Sequence, residues 1–326
     1  MTVLLKKPPI AVFCYNRPHH LKACLEAIDN SLKHLKEKLP IYIFCDYADS
    51  DAVKLTRKIA HSYGSATVIE RERNFGFHNI IEGISWLCNT YGRAIIIEDD
   101  ILIAPDFLPF MVQGLDRYEN NPRVFSISGF MYADAQPQNP QLFFQPFGFI
   151  WGWATWKRAW DQYDYNANGW REYLSNRRNK HRYNCFNSIK FSKHLEKTMT
   201  GKWNTWDCQW SYCIFRNNGL VLSPHLSLIW NCGCGGGVHG DAIKNASIDM
   251  GNKEVYIHGN MKREDFHKPR LQQPLTFPKE VSCSERSMRY LAVNFLKEYL
   301  RHYRKKRWRA HFKIWINKVA AKWSSL

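Results

Sequence analysis

The chain has 326 residues, of which 45% are hydrophobic and 23% are charged, and its formal net charge is +17 at pH 7. This length allows one large α/β domain or two ordinary ones, and the apolar fraction can build a core without disulfides, which excludes a disordered chain. Residues 284–326 hold twelve Lys or Arg and two Glu, which is +10 of the total. Such a basic segment indicates a surface partner, either anionic lipid or nucleic acid.

The ten cysteines form neither a CxxC pair nor a regular framework. Several lie inside apolar runs, so we expect buried free thiols in a reducing cytosol. A zinc site at Cys232-x-Cys234 is the alternative, although the spacing differs from that of a structural zinc knuckle. The N-terminus lacks the apolar stretch of a secretory signal, and no window reaches the ~18 apolar residues that span a bilayer. We therefore expect a cytoplasmic protein.

The first 130 residues alternate between short apolar runs and amphipathic segments. Strands are predicted at residues 10–15, 41–45, 66–69, 94–97 and 124–128, and helices at 18–35, 53–61, 80–87 and 105–118. This alternation predicts an α/β fold with a mostly parallel sheet flanked by helices. Ligands bind at the carboxyl ends of the strands in such sheets. The polar residues that close the strands should therefore converge on one edge: Asn16-Arg17, Asp46, Arg71 and Glu98-Asp99-Asp100.

The second half of the chain is less regular. Residues 133–146 are rich in Pro, Gln and Asn, which predicts a long surface loop. Residues 149–163 hold six Trp, Phe or Tyr, which either fill a core or stack on sugar rings. A helix is predicted at 206–215 and an extended segment at 220–230. A glycine-rich run follows at 232–240 and contains His239, either an exposed loop residue or a group that closes over a ligand.

From Ser284 onward the spacing of Trp, Phe and Ile predicts a basic amphipathic helix. Aromatic residues on one side and Lys or Arg on the other suit an interfacial helix on an anionic membrane. The cluster Arg304-Lys305-Lys306-Arg307 would also fit nucleic acid, but no RNA-reading motif occurs in the chain, so we expect no nucleic acid partner. The remaining alternative is a solvated face packed on the domain.

Glu98, Asp99 and Asp100, hereafter the acidic triplet, directly follow the fourth predicted strand. Adjacent carboxylates at a strand end repel one another, which raises their pKa values or requires a cation. A hard divalent ion with oxygen ligands resolves this repulsion, and such ions complete their shell with phosphates and water. The alternative is a solvated acidic turn that caps the next helix.

Several of these motifs, in this order, resemble the GT-A fold of glycosyltransferases over about residues 9–240. Residues 12–18, Val-Phe-Cys-Tyr-Asn-Arg-Pro, resemble the first strand of family 2 enzymes. The acidic triplet is similar to that of N-acetylglucosaminyltransferase I and its bacterial relatives, and Asn74-Phe75-Gly76 to the loop before their metal motif. Later matches are Gly152–Trp156 through Trp160, Trp206-Asp207, Asn231-Cys232-Gly233 and Val238-His239. The triplet departs from the pattern by opening with Glu, and residues 165–204 match nothing in it.

The resemblance implies roles for the residues at the strand ends. Asp100 would bind Mn²⁺ or Mg²⁺, while Glu98 and Asp99 would hold the ribose and metal-bound waters. Asp46 would face the nucleotide base beside Tyr15, Asn16 and Arg17, although a strand-end cap is the alternative for this residue. Asn74 would contribute to the nucleotide-sugar site, and His239 would complete the metal shell or close over the diphosphate.

Asp207 is the candidate general base, because it lies between Trp206 and Trp210, where partial desolvation would make a carboxylate more basic. A helix N-cap is the alternative role for Asp207, and Asp161 and Asp164 are rival bases. The sequence thus predicts a GT-A-like glycosyltransferase domain at residues 1–283, divided near residue 130 into a nucleotide half and an acceptor half, and a tail at 284–326.

The predicted reaction is an inverting, metal-dependent transfer of a sugar from a nucleoside-diphosphate sugar, with UDP as the nucleotide, to a cell-surface or lipid-linked glycan at the cytoplasmic face of a membrane. Two alternatives remain. A sugar nucleotidyltransferase would need a Gly-rich loop and a Lys after the first strand, where this chain has Tyr15-Asn16-Arg17-Pro18. A basic membrane- or RNA-binding protein without catalysis is the other.

Overall fold

The structure is a computed structural model that describes residues 7–131, 141–233 and 267–302, without the side chains of residue 286 and residues 295–302. The strands are β1 (Ile10–Cys14), β2 (Ile41–Cys45), β3 (Ala66–Glu70), β4 (Arg93–Glu98), β5 (Ile101–Ile103), β6 (Val124–Ser128), β7 (Leu142–Gln145), β8 (Trp153–Trp156), β9 (Leu220–Pro224) and β10 (Ile229–Asn231). The helices are α1 (Pro18–Leu32), α2 (Asp51–Ser62), α3 (Phe77–Tyr91), α4 (Phe107–Arg117), α5 (Lys157–Trp160), α6 (Trp170–Ser175), α7 (Arg177–Tyr183), α8 (Phe191–Met199), α9 (Asp207–Arg216) and α10 (Glu285–His302).

Within the described residues, eight strands form a central sheet in the order β3-β2-β1-β4-β8-β6-β9-β7. Four of its seven pairings are parallel, namely β3-β2, β2-β1, β1-β4 and β6-β9. Strand β8 runs antiparallel between β4 and β6, and β5 pairs antiparallel with β10 in a small second sheet. The predicted α/β fold, with a mostly parallel sheet flanked by helices, is confirmed.

Strand β1 shows why a continuous apolar run marks a central strand. Ile10, Val12 and Cys14 point into one core layer, whereas Ala11 and Phe13 point into the other. All five side chains are buried. Because helices cover both faces of a parallel sheet, such a strand has no position at which a polar side chain would reach water.

Two predictions about the second half were wrong in their details. Residues 142–145, placed in a surface loop, form the buried strand β7 and pair antiparallel with β9. Their apolar sequence Leu-Phe-Phe belongs to the core, and the Pro- and Asn-rich residues 132–140 lie outside the described part of the chain. The single extended segment predicted at 220–230 is two strands, β9 and β10, which lie in different sheets.

The segment after residue 267 returns to the domain. Asp106 at the start of α4 accepts the backbone N–H groups of Arg270 and Leu271 at 2.7 and 2.5 Å. Met288 and Leu291 on α10 are then buried in the main core. The first turns of the predicted tail therefore pack on the domain, whereas residues 303–326, with the basic cluster, lie outside the described residues. Among the described helices, none is long and apolar enough to cross a bilayer.

Candidate active site

The acidic triplet lies at the carboxyl edge of the sheet, where the strand order reverses. The chain runs from β1 outward to β2 and β3, and then returns to β4 on the other side of β1. Open α/β sheets bind their ligands at such a switch point. The Asp99 N–H donates to the Phe13 carbonyl at 2.9 Å, which continues the β1–β4 ladder into the triplet. The strand ends therefore converge as the sequence predicted.

The loop after β1 supplies the cation that faces the acidic triplet. Arg17 Nη1 donates to Asp100 Oδ2 at 2.5 Å and lies 3.7 Å from Asp99 Oδ1. The Tyr15 N–H donates to Asp99 Oδ2 at 3.3 Å. When all three carboxyls are ionised, Arg17 and the triplet together carry two net negative charges. A divalent cation would neutralise this excess.

Burial and like charges raise the pKa of two carboxyls in the triplet. The pKa of Glu98 is raised to about 8, first by burial and then by the charges of Asp100 and Asp99. The pKa of Asp99 is raised to about 7 by burial and by Asp100, against the opposing effects of Arg17 and the Tyr15 N–H. Carboxyls in this position take up either a proton or a cation.

The raised pKa values predict how the metal-free protein responds to pH. Since the folded chain holds more protons on Glu98 and Asp99 than the unfolded chain, the free energy of unfolding should fall as pH rises from about 5 to about 8. Glu98→Gln should make this decline shallower, and Glu26→Gln, at an exposed position on α1, should leave it unchanged. Thermal unfolding in the presence of a chelator measures the slope. An identical slope in the wild type and Glu98→Gln would contradict the raised pKa of Glu98.

The segment after β10 closes the site against Asp100. The Cys232 N–H and thiol donate to the Asp100 carbonyl at 2.8 and 3.2 Å. His20 Nε2 lies 3.2 Å from the Cys232 carbonyl, which ties α1 to the same segment. A Cβ on Gly233 would lie 2.1 Å from Asp100 Oδ2, so a larger residue at this position would displace the Asp100 carboxylate. From the residues alone, the sequence singled out Cys232 only for a zinc site, and no local pattern shows that Gly233 approaches Asp100.

Asp46 organises the loop that borders the site. Its Oδ1 accepts the N–H groups of Tyr47 and Phe75 at 2.9 and 2.8 Å, and its Oδ2 accepts that of Gly76 at 2.8 Å. These contacts correspond to the strand-end cap that the sequence left open as the alternative role for Asp46. Asn74 Nδ2 in the same loop donates to the Tyr15 hydroxyl at 3.2 Å. The loop and the β1 end are therefore one connected wall of the site.

Asp207 is the first residue of α9, and its charge reaches the acidic triplet. It is among the groups that raise the pKa of Glu98, after burial, Asp100 and Asp99. The Thr205 hydroxyl donates to Asp207 Oδ1, a contact that the sequence did not anticipate. Asp207 is half-buried, and both Trp206 directly before it and Trp210 one turn further along α9 are buried. Asp207 therefore lies within electrostatic range of Glu98, although more than 100 residues separate them in the sequence.

The two rival carboxylates are engaged elsewhere. Asp161 is exposed and accepts both of its hydrogen bonds from Lys157 Nζ at 2.7 Å. The Lys157 N–H bonds the Gly92 carbonyl, just before the amino end of β4, so Asp161 lies at the opposite edge of the sheet from the triplet. Asp164 caps a turn by accepting two of the backbone N–H groups that follow it, at 2.9 and 2.7 Å.

The aromatic segment 149–163 fills a core in its central part. Trp153 and Trp156 are fully buried, and Trp160 is 4% exposed. Trp153 lies within 6.1 Å of the ring centroids of Trp160, Trp206 and Trp210. This aromatic cluster supports the N-terminus of α9, so it positions Asp207 rather than stacking on a ligand itself.

The residues of the triplet suit Mn²⁺ or Mg²⁺ by their chemistry, since negatively charged oxygen donors are the ligands that hard divalent ions prefer. In the described ranges, however, no group of three or more His, Cys, Asp or Glu side chains is arranged to hold a metal ion. The cation in contact with Asp100 is Arg17. His239 and Cys234 lie outside the described residues, and Asn16 is exposed at the rim.

No protein-family model and no curated protein sequence matches this chain. It is similar to the structure of GalNAc-T7 with UDP, GalNAc and Mn²⁺, at 11% identity and a TM-score of 0.41, over 68% of this chain and 43% of that one. It is similar to the mannosyltransferase PcManGT from Pyrobaculum calidifontis in complex with GDP-Man and Mn²⁺, at 13% identity and a TM-score of 0.40, over 98% of this chain and 83% of that one. It is also similar to TarS residues 1–349 from S. aureus, at 14% identity and a TM-score of 0.30, over 41% of this chain and 38% of that one. The chain therefore spans less than half the length of GalNAc-T7, and at these scores the likeness assigns no family.

Proposed function

We propose that this chain is a divalent-metal-dependent glycosyltransferase that moves a sugar, with inversion, from a nucleoside-diphosphate sugar to a glycan acceptor. The observation that carries the proposal is the placement of the acidic triplet at the β1–β4 switch edge, with the Asp207 carboxylate within electrostatic reach of Glu98. Metal-dependent inverting transfer needs two things of the protein. A carboxylate cluster holds the metal at the diphosphate, and a carboxylate from another element takes the proton of the acceptor.

The nucleotide would lie along the wall formed by the β1 loop and the Asn74 loop. Tyr15 and Asn74 present a hydroxyl and an amide at this wall, and Asp46 holds the loop in place from behind. Arg17 would contact the diphosphate, because its guanidinium points into the site and binds oxyanions. Glu98 and Asp99 would accept hydrogen bonds from the ribose and from metal-bound waters.

Asp100 would hold the divalent metal, with His239 as a second ligand from the segment that follows β10. When bound, Mn²⁺ or Mg²⁺ supplies positive charge to the diphosphate that leaves. Asp207 would take the proton of the acceptor hydroxyl while the acceptor oxygen bonds the anomeric carbon. The bond from that carbon to the diphosphate oxygen breaks in the same step and carries its electron pair to the nucleotide.

The acceptor would be a lipid-linked or cell-surface glycan, reached at the cytoplasmic face of a membrane. The basic residues 284–326 support this part of the proposal, since each Lys or Arg near an anionic leaflet contributes on the order of 1 kcal/mol. The helix α10 begins on the domain and would carry residues 303–326 toward the lipid.

A nucleotide panel tests the proposed function. In the presence of Mn²⁺, we expect one of UDP, GDP and CDP, with UDP first, to raise the thermal unfolding midpoint, and the matching sugar nucleotide to be turned over. The same nucleotides with a chelator should have a much smaller effect. If no nucleotide shifts the midpoint with Mn²⁺, a basic binding protein without catalysis explains the chain better.

A further inference from the structure

A second pocket lies between α7 and α10, and the residues that line it are not among those that contact the acidic triplet. Its volume is about 200 Å³. It is lined by Arg178, His181, Arg182, Phe186, Cys283, Glu285, Met288 and Arg289. A shallower groove of about 500 Å³ shares Arg178 and His181 with it and extends along α7 past Arg177 and Lys180. The two form one continuous basic surface.

The charge of this surface is strongly one-sided. Helix α7 has the sequence Arg-Arg-Asn-Lys-His-Arg-Tyr, and its Arg and Lys side chains are exposed. Among the residues that line the pocket and groove, Glu285 carries the single negative charge. It accepts a hydrogen bond from Arg289 at 2.7 Å, and Arg289 lowers its pKa, with further contributions from Arg182 and Arg178. One carboxylate thus faces several guanidinium groups, which leaves positive charge for a ligand.

The backbone beside the pocket is held in a costly conformation. Cys185, Phe186 and Asn187 have φ values of 47°, 54° and 66°, which is a run of left-handed residues without a glycine. Left-handed backbone is unfavourable for residues that carry a Cβ, although asparagine tolerates it better than cysteine or phenylalanine. The Phe186 N–H bonds the His181 carbonyl at 2.9 Å, and this bond helps fix the turn against α7. Strain that the surrounding structure maintains is typical of binding sites.

The strained turn places an apolar floor beneath the arginines. Phe186 is 8% exposed and Met288 is 3% exposed, and both line the pocket. The Arg289 guanidinium lies 5.1 Å from the centroid of the Phe186 ring, and the His181 ring packs edge-on against the same ring at 5.2 Å. The pocket therefore combines planar, multi-donor cations at its rim with an apolar base.

We propose that the pocket between α7 and α10 binds a phosphate-ester group. Guanidinium groups bind phosphate oxygens through paired hydrogen bonds. Several guanidinium groups around one pocket suit a tetrahedral phosphate, which offers more oxygens than a ligand with a single carboxylate. The apolar base would accommodate the alcohol part of the ester. The source of the phosphate is either the headgroup of an anionic lipid or a water-soluble phosphate ester. This site is independent of the reaction proposed for the acidic triplet.

Calorimetric titration of the full chain without divalent metal tests the site, with inorganic phosphate and monomeric dihexanoyl phosphatidic acid as probes. Both should bind, and Arg178→Ala/Arg182→Ala should weaken both by at least about 10-fold. Lys33→Ala/Lys58→Ala removes two charges from exposed positions at the end of α1 and on α2, and should change affinity by less than about 2-fold. Arg178→Ala alone serves if the double variant does not fold.

The two probes also separate the sources. Phosphatidic acid that binds at least about 10-fold tighter than inorganic phosphate would support a lipid headgroup, since the apolar base then contributes. Equal affinities would mean that the acyl chains contribute nothing and that the phosphate group alone is recognised, which would support a water-soluble phosphate ester as the source. The proposal is overturned if neither probe binds, or if the α7 variant binds both probes as tightly as the wild type does.

Discussion

Asp100→Ala is expected to abolish Mn²⁺-dependent turnover of the sugar-nucleotide donor, with a fall in kcat/KM of at least about 10³-fold. The substitution removes the carboxylate that would hold the metal at the diphosphate. It also leaves the Arg17 guanidinium without the oxygen that it contacts at 2.5 Å. Both changes weaken the charge stabilisation that the leaving diphosphate requires, so the loss should appear in kcat as well as in the KM of the donor.

The matched control for this experiment is Asp49→Ala. Asp49 is a highly exposed carboxylate that forms its ion pair with Lys54 at 2.9 Å, and not with Arg17. Exposed ion pairs contribute little to stability, so this variant should keep wild-type turnover and a wild-type unfolding midpoint. Turnover by Asp100→Ala within about 3-fold of the wild type would mean that the acidic triplet does not serve the reaction.

Asp207→Asn should lower kcat by about 10²–10⁴-fold while it leaves the KM of the donor nearly unchanged. An amide has the shape of the carboxylate and can still accept the hydrogen bond from Thr205, so the N-terminus of α9 should keep its structure. It cannot take a proton from the acceptor hydroxyl. The effect should therefore fall on the chemical step and not on donor binding.

Two further variants make the test specific to Asp207. Asp161→Asn and Asp164→Asn should each keep turnover within about 2-fold of the wild type, because Asp161 pairs with Lys157 and Asp164 caps a turn. Steady-state rates with saturating donor and Mn²⁺ give the comparison. A large loss of turnover in Asp161→Asn or Asp164→Asn, with a small loss in Asp207→Asn, would show that the affected residue, and not Asp207, is the general base.

The sequence predicted the fold around the candidate site wherever a local pattern carries the information. Four apolar runs of about five residues, each closed by a polar residue, suffice to predict the parallel half of the sheet and the convergence of its strand ends. The acidic triplet begins with the last residue of β4, so its position at the edge needed only the strand order. The predicted helix ends differ from the observed ones by a few residues. The helix predicted at 80–87, for example, is α3, which begins at Phe77, directly after Gly76 with its φ of 54°.

Contacts between distant segments were not predictable in this way. The approach of Gly233 to Asp100 depends on the pairing of β10 with β5, a strand that is only three residues long and that the sequence pattern did not indicate. The insertion of β8 between β4 and β6 is of the same kind, because Trp153–Trp156 is a short aromatic run that fits a core or a ligand platform equally well. Tertiary packing decided both.

Arg17 shows a third limit of the sequence. The resemblance implies that it contacts the nucleotide, and the structure adds a contact that the sequence did not indicate, since its guanidinium lies on Asp100 and near Asp99. Which partner an arginine takes depends on side-chain geometry across two strands, and residue types do not encode it. The contact also makes the metal proposal more specific, since a bound cation would share Asp100 with Arg17 or displace it.

Mn²⁺ binding by electron paramagnetic resonance, in the presence of the preferred nucleoside diphosphate, tests the central claim most directly. The wild type should bind one Mn²⁺ per chain, and Asp100→Ala should lose that site. The variant should still unfold in a cooperative thermal transition, which would show that it is folded. Asp49→Ala should bind like the wild type. Equal Mn²⁺ binding by the wild type and Asp100→Ala would contradict a metal site at the acidic triplet.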